Sequence, residues 1–311
     1  MEFKHIPVML NECISALNIK PDGVYMDGTL GGGGHSSVIA SRLNEKGTLI
    51  CFDLDEEAIK AASERVKSKG KVIFVHSNYK DFVKAMAENE ISGLDGILVD
   101  LGVSSYQIDN PERGFSYMNA GPLKMTMDEG QKLDAETVVN NYSAERLTQI
   151  FRDYGEERFA RQIALEIVKA RQLSRIQTTT ELAEIVANSI PAKFRFANGH
   201  PAKRVFQAIR IEVNGELSGL SEFLIDCVRK GLNKGGRLAV ITFHSLEDRI
   251  AKDAFNMLAT DCLCDKKLPV CVCHHSAEVK KISRKPILPS ADELAQNSRS
   301  HSAKLRVVEK L

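Results

Sequence analysis

The sequence predicts an α/β protein, a doubly wound parallel sheet interrupted by a helical insertion. Three observations carry that prediction. Short apolar runs alternate with amphipathic stretches over residues 24–100. A glycine cluster separates the first apolar run from the stretch that follows it. The alternation stops after Asp100 and resumes near Lys203.

The elements follow in order. Val24-Tyr25-Met26 is a short strand ending at Asp27, and a helix begins near His35 and Ser36 beyond the glycines. Thr48 to Phe52 is a second strand, ending at Asp53. Glu56 to Lys67 forms a helix with Ala58, Ile59, Ala62 and Val66 on one stripe. Val72 to Val75 is a third strand, Phe82 to Glu88 a short helix, and Ile97 to Val99 a fourth strand ending at Asp100. Strands apolar along their whole length belong in a sheet covered on both faces, and right-handed crossovers make it doubly wound.

Residues 105–128 are rich in Gly, Pro, Asn and Met and keep no period. From Leu133 to Ile190 the pattern is helical. Glu156 and Glu157 open one helix there, with Phe159, Ile163 and Ile167 on a stripe, and Thr178 with Glu181 forms a capping box for the next. Phe206 to about Lys230 is again helical. Leu232 to Gly236 is a turn, Arg237 to Phe243 a strong strand, and Ala251 to Ala259 a helix. Residues 260–300 read as loop, and Ala303 to Val308 alternates as a closing strand. The resulting boundaries are a discontinuous α/β domain over 1–105 and 203–311, with an all-helical domain over 106–202.

Composition narrows the classes. The 311 residues suit about two domains. Lys plus Arg is 42 against 41 for Asp plus Glu, and 43% of residues are hydrophobic. Such a chain builds a core and is neither a disordered tail nor a collagen nor a small disulfide scaffold. With a net charge of +1, a nucleic-acid partner must meet a local patch. The opening residues lack a signal-peptide apolar region, and no apolar run approaches the roughly 18 residues that span a bilayer. The expected compartment is the cytoplasm, with no membrane partner.

The segment Asp27-Gly28-Thr29-Leu30-Gly31-Gly32-Gly33-Gly34-His35-Ser36 joins a strand to a helix. Glycines there let the backbone turn tightly and approach a ligand. Asp53 closes the next strand, 20 residues after Gly33, where a carboxylate accepts both ribose hydroxyls of an adenosine ligand. A dinucleotide loop wants glycine three residues after its second glycine, but Ser36 stands there. Asp27 would repel a pyrophosphate and suit a methionine ammonium. Leu232-Asn233-Lys234-Gly235-Gly236 also looks like a turn common in methyltransferases. The residues therefore favour S-adenosyl-L-methionine over NAD.

Asp100 and Gln107 flank the end of the fourth strand, where open α/β sheets bind ligands. Methylation at a pyrimidine carbon needs a cysteine nucleophile, usually in Pro-Cys or Thr-Cys, and neither dipeptide occurs. The Asp/Asn-Pro-Pro-Tyr run of many amino methyltransferases is also absent, so chemistry alone leaves the acceptor open. The run Phe243 to Arg249 offers Ser, His and acids, but no Gly-x-Ser-x-Gly elbow supports a hydrolase. His244 and Glu247 are better placed as pocket-lining groups, or as members of a hydrogen-bonded turn.

Cys13, Cys51 and Cys227 sit in apolar contexts and are expected in the core. Cys262, Cys264, Cys271 and Cys273, with His274 and His275 following, allow either a zinc site or a reduced, metal-free loop. The latter is favoured, and no metal is assigned to the catalytic site. Residues 265–285 hold six basic and two acidic side chains. With Arg195, Lys203, Arg204 and Arg210 they are the candidates for phosphate contact.

These residues also carry a resemblance. His5-Ile6-Pro7, Asp27-Gly28-Thr29 with Gly33-Gly34-His35-Ser36, Asp100-Leu101-Gly102-Val103-Ser104-Ser105 with Gln107, Arg113-Gly114-Phe115-Ser116 and Tyr154-Gly155-Glu156-Glu157 recur in order in one family. His200-Pro201-Ala202, Arg204 to Ile211, Val213-Asn214, Phe243 to Arg249 and Ser302 to Val307 continue the match nearly to the end. The chain resembles the bacterial small-subunit (16S) ribosomal RNA cytosine-N4 methyltransferases. The resemblance implies a class I S-adenosylmethionine methyltransferase (Rossmann-like) sheet with an inserted all-helical substrate-recognition domain. It implies donor contacts at Gly33, Gly34, His35, Asp53, Tyr79, Asp100 and Gln107. On chemical grounds the catalytic candidates are Asp100, which can accept a hydrogen bond from the cytosine amine, and His244, which borders the site. The implied reaction is methyl transfer to the exocyclic N4 of one cytidine in the decoding region of 16S rRNA, within the small subunit or its precursor. Ala120, Lys124 and Thr126 depart from the family, which carries two acids and an arginine there, and Ser298 and His301 stand in place of Pro and Arg. A donor-binding assembly factor of weak activity, or an enzyme with a different RNA or protein acceptor, are the alternatives.

Overall fold

The computed structural model describes residues 7–196, 199–262, 264–265 and 270–311. His5, Lys266 and Lys267 therefore lie outside the described residues. The chain divides into two compact units, one running to Gly102 and resuming over Gly219–Leu311, the other covering Val103–Ser218.

The first unit is built on seven strands. Helix α1 (Leu10–Leu17) leads into β1 (Val24–Asp27), α2 (Gly34–Arg42), β2 (Thr48–Asp53), α3 (Glu56–Arg65), β3 (Lys71–His76), α4 (Phe82–Glu88) and β4 (Leu94–Asp100). The strand order is β3-β2-β1-β4-β5-β7-β6, completed by β5 (Leu232–Thr242), β6 (Val279–Lys281) and β7 (Lys304–Lys310). The first five strands pair in parallel, and β7 runs antiparallel between β5 and β6. Successive residues explain the apolar runs of the sequence. Leu49 and Cys51 join a core with Ile14, Leu17, Ile39 and Ala62 from α1, α2 and α3, while Ile50 and Phe52 between them are equally buried. Both faces of β2 are thus covered, as a parallel sheet requires.

The second unit is helical. It contains α5 (Ser105–Asp109), α6 (Ala135–Asn141), α7 (Ala144–Asp153), α8 (Ala160–Leu173), α9 (Thr179–Ser189) and α10 (Lys203–Asn214). The predicted capping box forms: Thr178 Oγ1 accepts the N–H of Glu181, and Glu181 Oε2 accepts the N–H of Thr178. Helix α10 corrects the expected boundary at residue 203. Its Val205, Phe206, Ala208, Ile209 and Val213 are buried with Leu147, Ile150 and Phe151 of α7 in the second unit's core. A stripe of apolar residues declares that a helix is buried but not against which unit.

The long helix expected from Phe206 is also broken. Gly215 and Gly219 adopt φ of 57° and 66°, ending α10 and preceding α11 (Leu220–Asp226) in the first unit. Helix α12 (Ser245–Leu258) follows β5, and α13 (Ala291–Gln296) precedes β7. Among the described residues no helix is long and apolar enough to cross a membrane.

Candidate active site

The glycine loop is shaped by hydrogen bonds to the strands beside it. Gly28 N–H donates to Leu98 O at 2.8 Å, and Leu30 N–H to Phe52 O at 2.9 Å. Asp27 is 1% exposed, and both of its oxygens serve the loop itself. Oδ1 accepts Thr29 N–H at 3.0 Å, and Oδ2 accepts the Ser36 hydroxyl at 2.6 Å. Burial raises its pKa against those bonds. Asp27 thus anchors the loop through one bond on each oxygen.

Gly33 is the N-cap of α2 with φ 73°, a conformation that costs little only for glycine. A Cβ on Gly33 would lie 3.0 Å from Ala62 Cβ and 3.1 Å from Val66 Cγ2, so the glycine also lets α3 pack closely. A Cβ on Gly34 would collide with the Pro7 ring. His35 is buried, its Nε2 3.0 Å from Val8 O, and burial lowers its pKa.

Asp53 lies at the carboxyl end of β2. Its Oδ2 accepts Gly31 N–H at 2.7 Å and its Oδ1 accepts Asp55 N–H at 2.9 Å, which ties the loop to the strand. Burial pushes its pKa up to about 6. Tyr79 stands beside the loop, its Cβ 3.3 Å from where a Gly28 side chain would begin, and its ring centroid is 4.6 Å from that of Phe223.

Asp100 ends β4. Its N–H donates to Thr29 Oγ1 at 2.7 Å, so the fourth strand is fastened to the loop after the first. Its Oδ1 is buried and has no hydrogen-bond partner among the described residues. Burial, then the charges of Asp27 and Glu247, raise its pKa well above the usual carboxylate range.

His244 follows β5 and caps α12. Its Nδ1 accepts Glu247 N–H at 3.4 Å, and Glu247 Oε2 accepts the N–H groups of Phe243 and His244 at 2.8 and 3.3 Å. His244 Nε2 lies 3.1 Å from Glu247 Oε1, and both side chains are buried. The hydrogen-bonded turn foreseen for this motif is present as a helix cap. Asp248 beside it pairs with Arg306 and Lys304 of β7 at 2.7 and 3.0 Å.

Asp27, Gly33, Gly34, His35, Asp53, Tyr79, Asp100 and His244 all belong to the first unit. Gln107 belongs to the second. There its Oε1 accepts Ser104 N–H at 3.1 Å in a capping box for α5. The basic candidates divide. Arg210 is committed to a bidentate pair with Glu216 at 2.9 and 3.0 Å and is not available to phosphate. Arg195 and Arg204 reach the carbonyls of Ile190 and Glu156, and Lys203 is exposed.

Sequence reasoning missed two features of the second unit. Arg113 is 4% exposed and donates from Nη2 to the carbonyls of Thr126 and Met127 at 3.0 and 3.1 Å. The segment that departs from the family is therefore held through backbone carbonyls rather than through its altered side chains. Phe194 and Phe196 are 36% and 66% exposed, with Lys193 Nζ 4.7 Å and the Arg158 guanidinium 5.1 Å from the Phe194 ring centre. The alternation Lys193-Phe194-Arg195-Phe196 is the signal that could have found them, since basic and aromatic residues together suit nucleic acid.

A reversed β7 between β5 and β6 separates this sheet from all-parallel dinucleotide folds. Acids end β2 and β4, a glycine loop follows β1, and one buried carboxylate oxygen lacks a donor. Those features fit an adenosyl ligand with a charged methionine end, and together they define a class I S-adenosylmethionine-dependent methyltransferase. The chain belongs to the MraW methylase family, whose profile matches residues 2–311. Ribosomal RNA small subunit methyltransferase H of Clostridium botulinum (strain Loch Maree / Type A3) is 54% identical over 311 residues, covering 100% of both chains. Its namesake in Clostridioides difficile (strain 630) is 51% identical over 312 residues, again covering 100% of both. Ribosomal RNA small subunit methyltransferase H 2 of Agathobacter rectalis is 53% identical over 312 residues, 100% of this chain and 99% of that one. Among solved structures, an rRNA methylase from Streptococcus thermophilus matches over 100% of this chain and 99% of that one, a weak likeness at 10% identity and a TM-score of 0.37.

Proposed function

We propose that this enzyme methylates the exocyclic N4 of one cytidine in the decoding region of 16S ribosomal RNA, within the small subunit or its precursor, in the cytoplasm. The shared name of relatives 51–54% identical over their whole length supports the RNA class. The observation that carries the chemistry is the buried Asp100 Oδ1 without a donor. A buried acceptor left unpaired costs about 1–3 kcal/mol, and an amine brought against it removes that cost.

S-adenosylmethionine supplies an activated methyl group on a sulfonium. In this reading the glycine loop at Gly33, Gly34 and His35 bounds the donor, and Asp53 accepts its ribose hydroxyls while Tyr79 flanks it. Gln107 enters the donor set on the family resemblance alone. Asp100 does the chemical work. The lone pair of a cytosine amine is delocalised into the ring, so the amine needs orientation and a proton acceptor. Asp100 Oδ1 accepts a hydrogen bond from N4 and takes the proton that N4 loses as it gains the methyl. His244 fixes the start of α12 beside this carboxylate's strand and lines the pocket.

The reaction is tested with small subunits from cells lacking the enzyme. They are incubated with the protein and labelled S-adenosylmethionine, and the RNA is digested and analysed by mass spectrometry. Label in N4-methylcytidine is the expected result. Label in another nucleoside or in protein, or none at all with donor binding intact, overturns it.

A further inference from the structure

Four of the seven cysteines meet on one surface segment. Cys13, Cys51 and Cys227 are each fully buried, as isolated thiols usually are. Cys262, Cys271 and Cys273 are exposed and Cys264 is half-buried, in the segment between α12 and β6. Yet all four Sγ atoms lie within 4.8 Å of one another. Cys262 Sγ is 3.4 Å from Cys271 Sγ and 3.7 Å from Cys273 Sγ, and the last two are 3.6 Å apart.

These separations are too long for disulfides, whose sulfurs are about 2.05 Å apart. They match another geometry. Zinc–sulfur bonds of about 2.3 Å place tetrahedral thiolates about 3.8 Å apart. Thiolates are soft ligands that suit zinc, and four of them close the coordination sphere without an open position.

The surroundings agree. The N–H of Val272 donates to Cys264 Sγ at 3.3 Å, the kind of backbone bond that orients a metal thiolate. The root of the segment is fastened: Glu278 N–H donates to Leu258 O at 2.7 Å, and Ala277 N–H to Asp261 Oδ1 at 3.3 Å. Among the described residues of the tip, Val270 and Val272 are 69% and 65% exposed. Where side chains are this exposed, a structural metal is a common source of cohesion.

We propose that Cys262, Cys264, Cys271 and Cys273 form a structural zinc(II) site that staples the segment between α12 and β6. The four thiols give up their protons on binding, and the ion keeps its oxidation state. The site is separate from the methyl-transfer chemistry and stands whatever the acceptor proves to be.

The test uses the full chain, purified under reducing conditions from zinc-supplemented cells. Elemental analysis is expected to give about one zinc per chain, as a single closed site requires. Replacement by cobalt(II) is expected to give the intense visible bands of tetrahedral thiolate coordination. The Cys271→Ser/Cys273→Ser variant is expected to lose both signals at least tenfold while binding S-adenosylmethionine normally. The proposal is overturned by background zinc in the loaded wild-type chain, cobalt spectra without thiolate bands, an unchanged signal in the variant, or an iron–sulfur chromophore in place of zinc. A mass reduced by disulfide formation in the freshly purified chain overturns it as well.

Discussion

The backbone N–H of Asp100 donates to Thr29 Oγ1 at 2.7 Å, which locks the end of β4 to the loop that follows β1. Thr29 N–H in turn donates to Asp27 Oδ1 at 3.0 Å. One threonine thus ties Asp27 to the end of β4, and the bond uses the Asp100 backbone rather than its carboxyl oxygens. Removing the hydroxyl with Thr29→Val frees the Asp100 N–H. The expected result is a fall in turnover of about tenfold, with a smaller loss of donor affinity, measured by single-turnover kinetics and calorimetry. Unchanged turnover would mean that the bond positions nothing.

With Asp53 in the proposed donor site, donor binding is expected to depend on pH. Its folded value of about 6 exceeds the ordinary aspartate value of about 3.9. The folded apo chain therefore holds this proton more tightly than the unfolded chain. The stability cost of ionising it is absent below about pH 4 and fully present above about pH 6. In the proposed site the ribose hydroxyls donate to the ionised form. S-adenosylmethionine affinity is expected to rise as pH increases through about 6 and to level off above it, falling about tenfold per unit below. Calorimetric titrations across that range check this, and Asp53→Asn is expected to bind weakly with no such step.

Gly33 is expected to resist substitution. At φ 73°, with Ala62 and Val66 at 3.0 and 3.1 Å from where a Cβ would stand, Gly33→Ala combines left-handed strain with a close contact. Strain alone costs roughly 1–2 kcal/mol. A lowered urea midpoint together with weakened donor binding is the expected outcome, and a neutral variant would contradict it.

Arg113 ties down the segment around Thr126 and Met127, beside Asn214, which bonds Met125 O and Met127 N–H. Arg113→Ala strands the buried Thr126 carbonyl and leaves the half-buried Met127 carbonyl to solvent, and a loss of about 1–3 kcal/mol is expected in denaturant unfolding. Lys124→Ala, at an exposed position of the same segment, is expected to stay within about 0.5 kcal/mol of the parent.

If the second unit reads RNA, Phe194 and Phe196 are its stacking surface. Phe194→Ala and Phe196→Ala are each expected to lower affinity for the small subunit by about 1–3 kcal/mol while leaving donor binding intact. Arg210→Ala is expected to act through stability rather than through salt-dependent binding, because Glu216 already occupies its guanidinium.

Much of this architecture was legible because its elements are long or strongly patterned. The helix at Phe82–Glu88 and the strands ending at Asp27, Asp53 and Asp100 appear where the apolar periodicity places them. The loop-like stretch 260–300 hid β6 and α13, of three and six residues. Neither is long enough to show a period, and β6 takes its register from a distant strand, β7. Helix α10 shows the complementary limit, since its apolar stripe is visible but its partner is not. At the site, the acids at strand ends follow from topology. The inward use of Asp27, the cap formed by His244 and the burial of Arg113 depend on hydrogen bonds to groups that spacing does not reveal.

The most direct test is Asp100→Asn, which keeps the shape of the side chain and removes its capacity to take a proton. S-adenosylmethionine binding is measured by calorimetry and methyl transfer to undermethylated small subunits under single-turnover conditions. The expected result is near-normal donor binding with a rate reduced by about 10²–10⁴-fold, the usual contribution of a positioned base. Methyl transfer at the parent rate with the donor bound would contradict the role given to the unpartnered oxygen of Asp100.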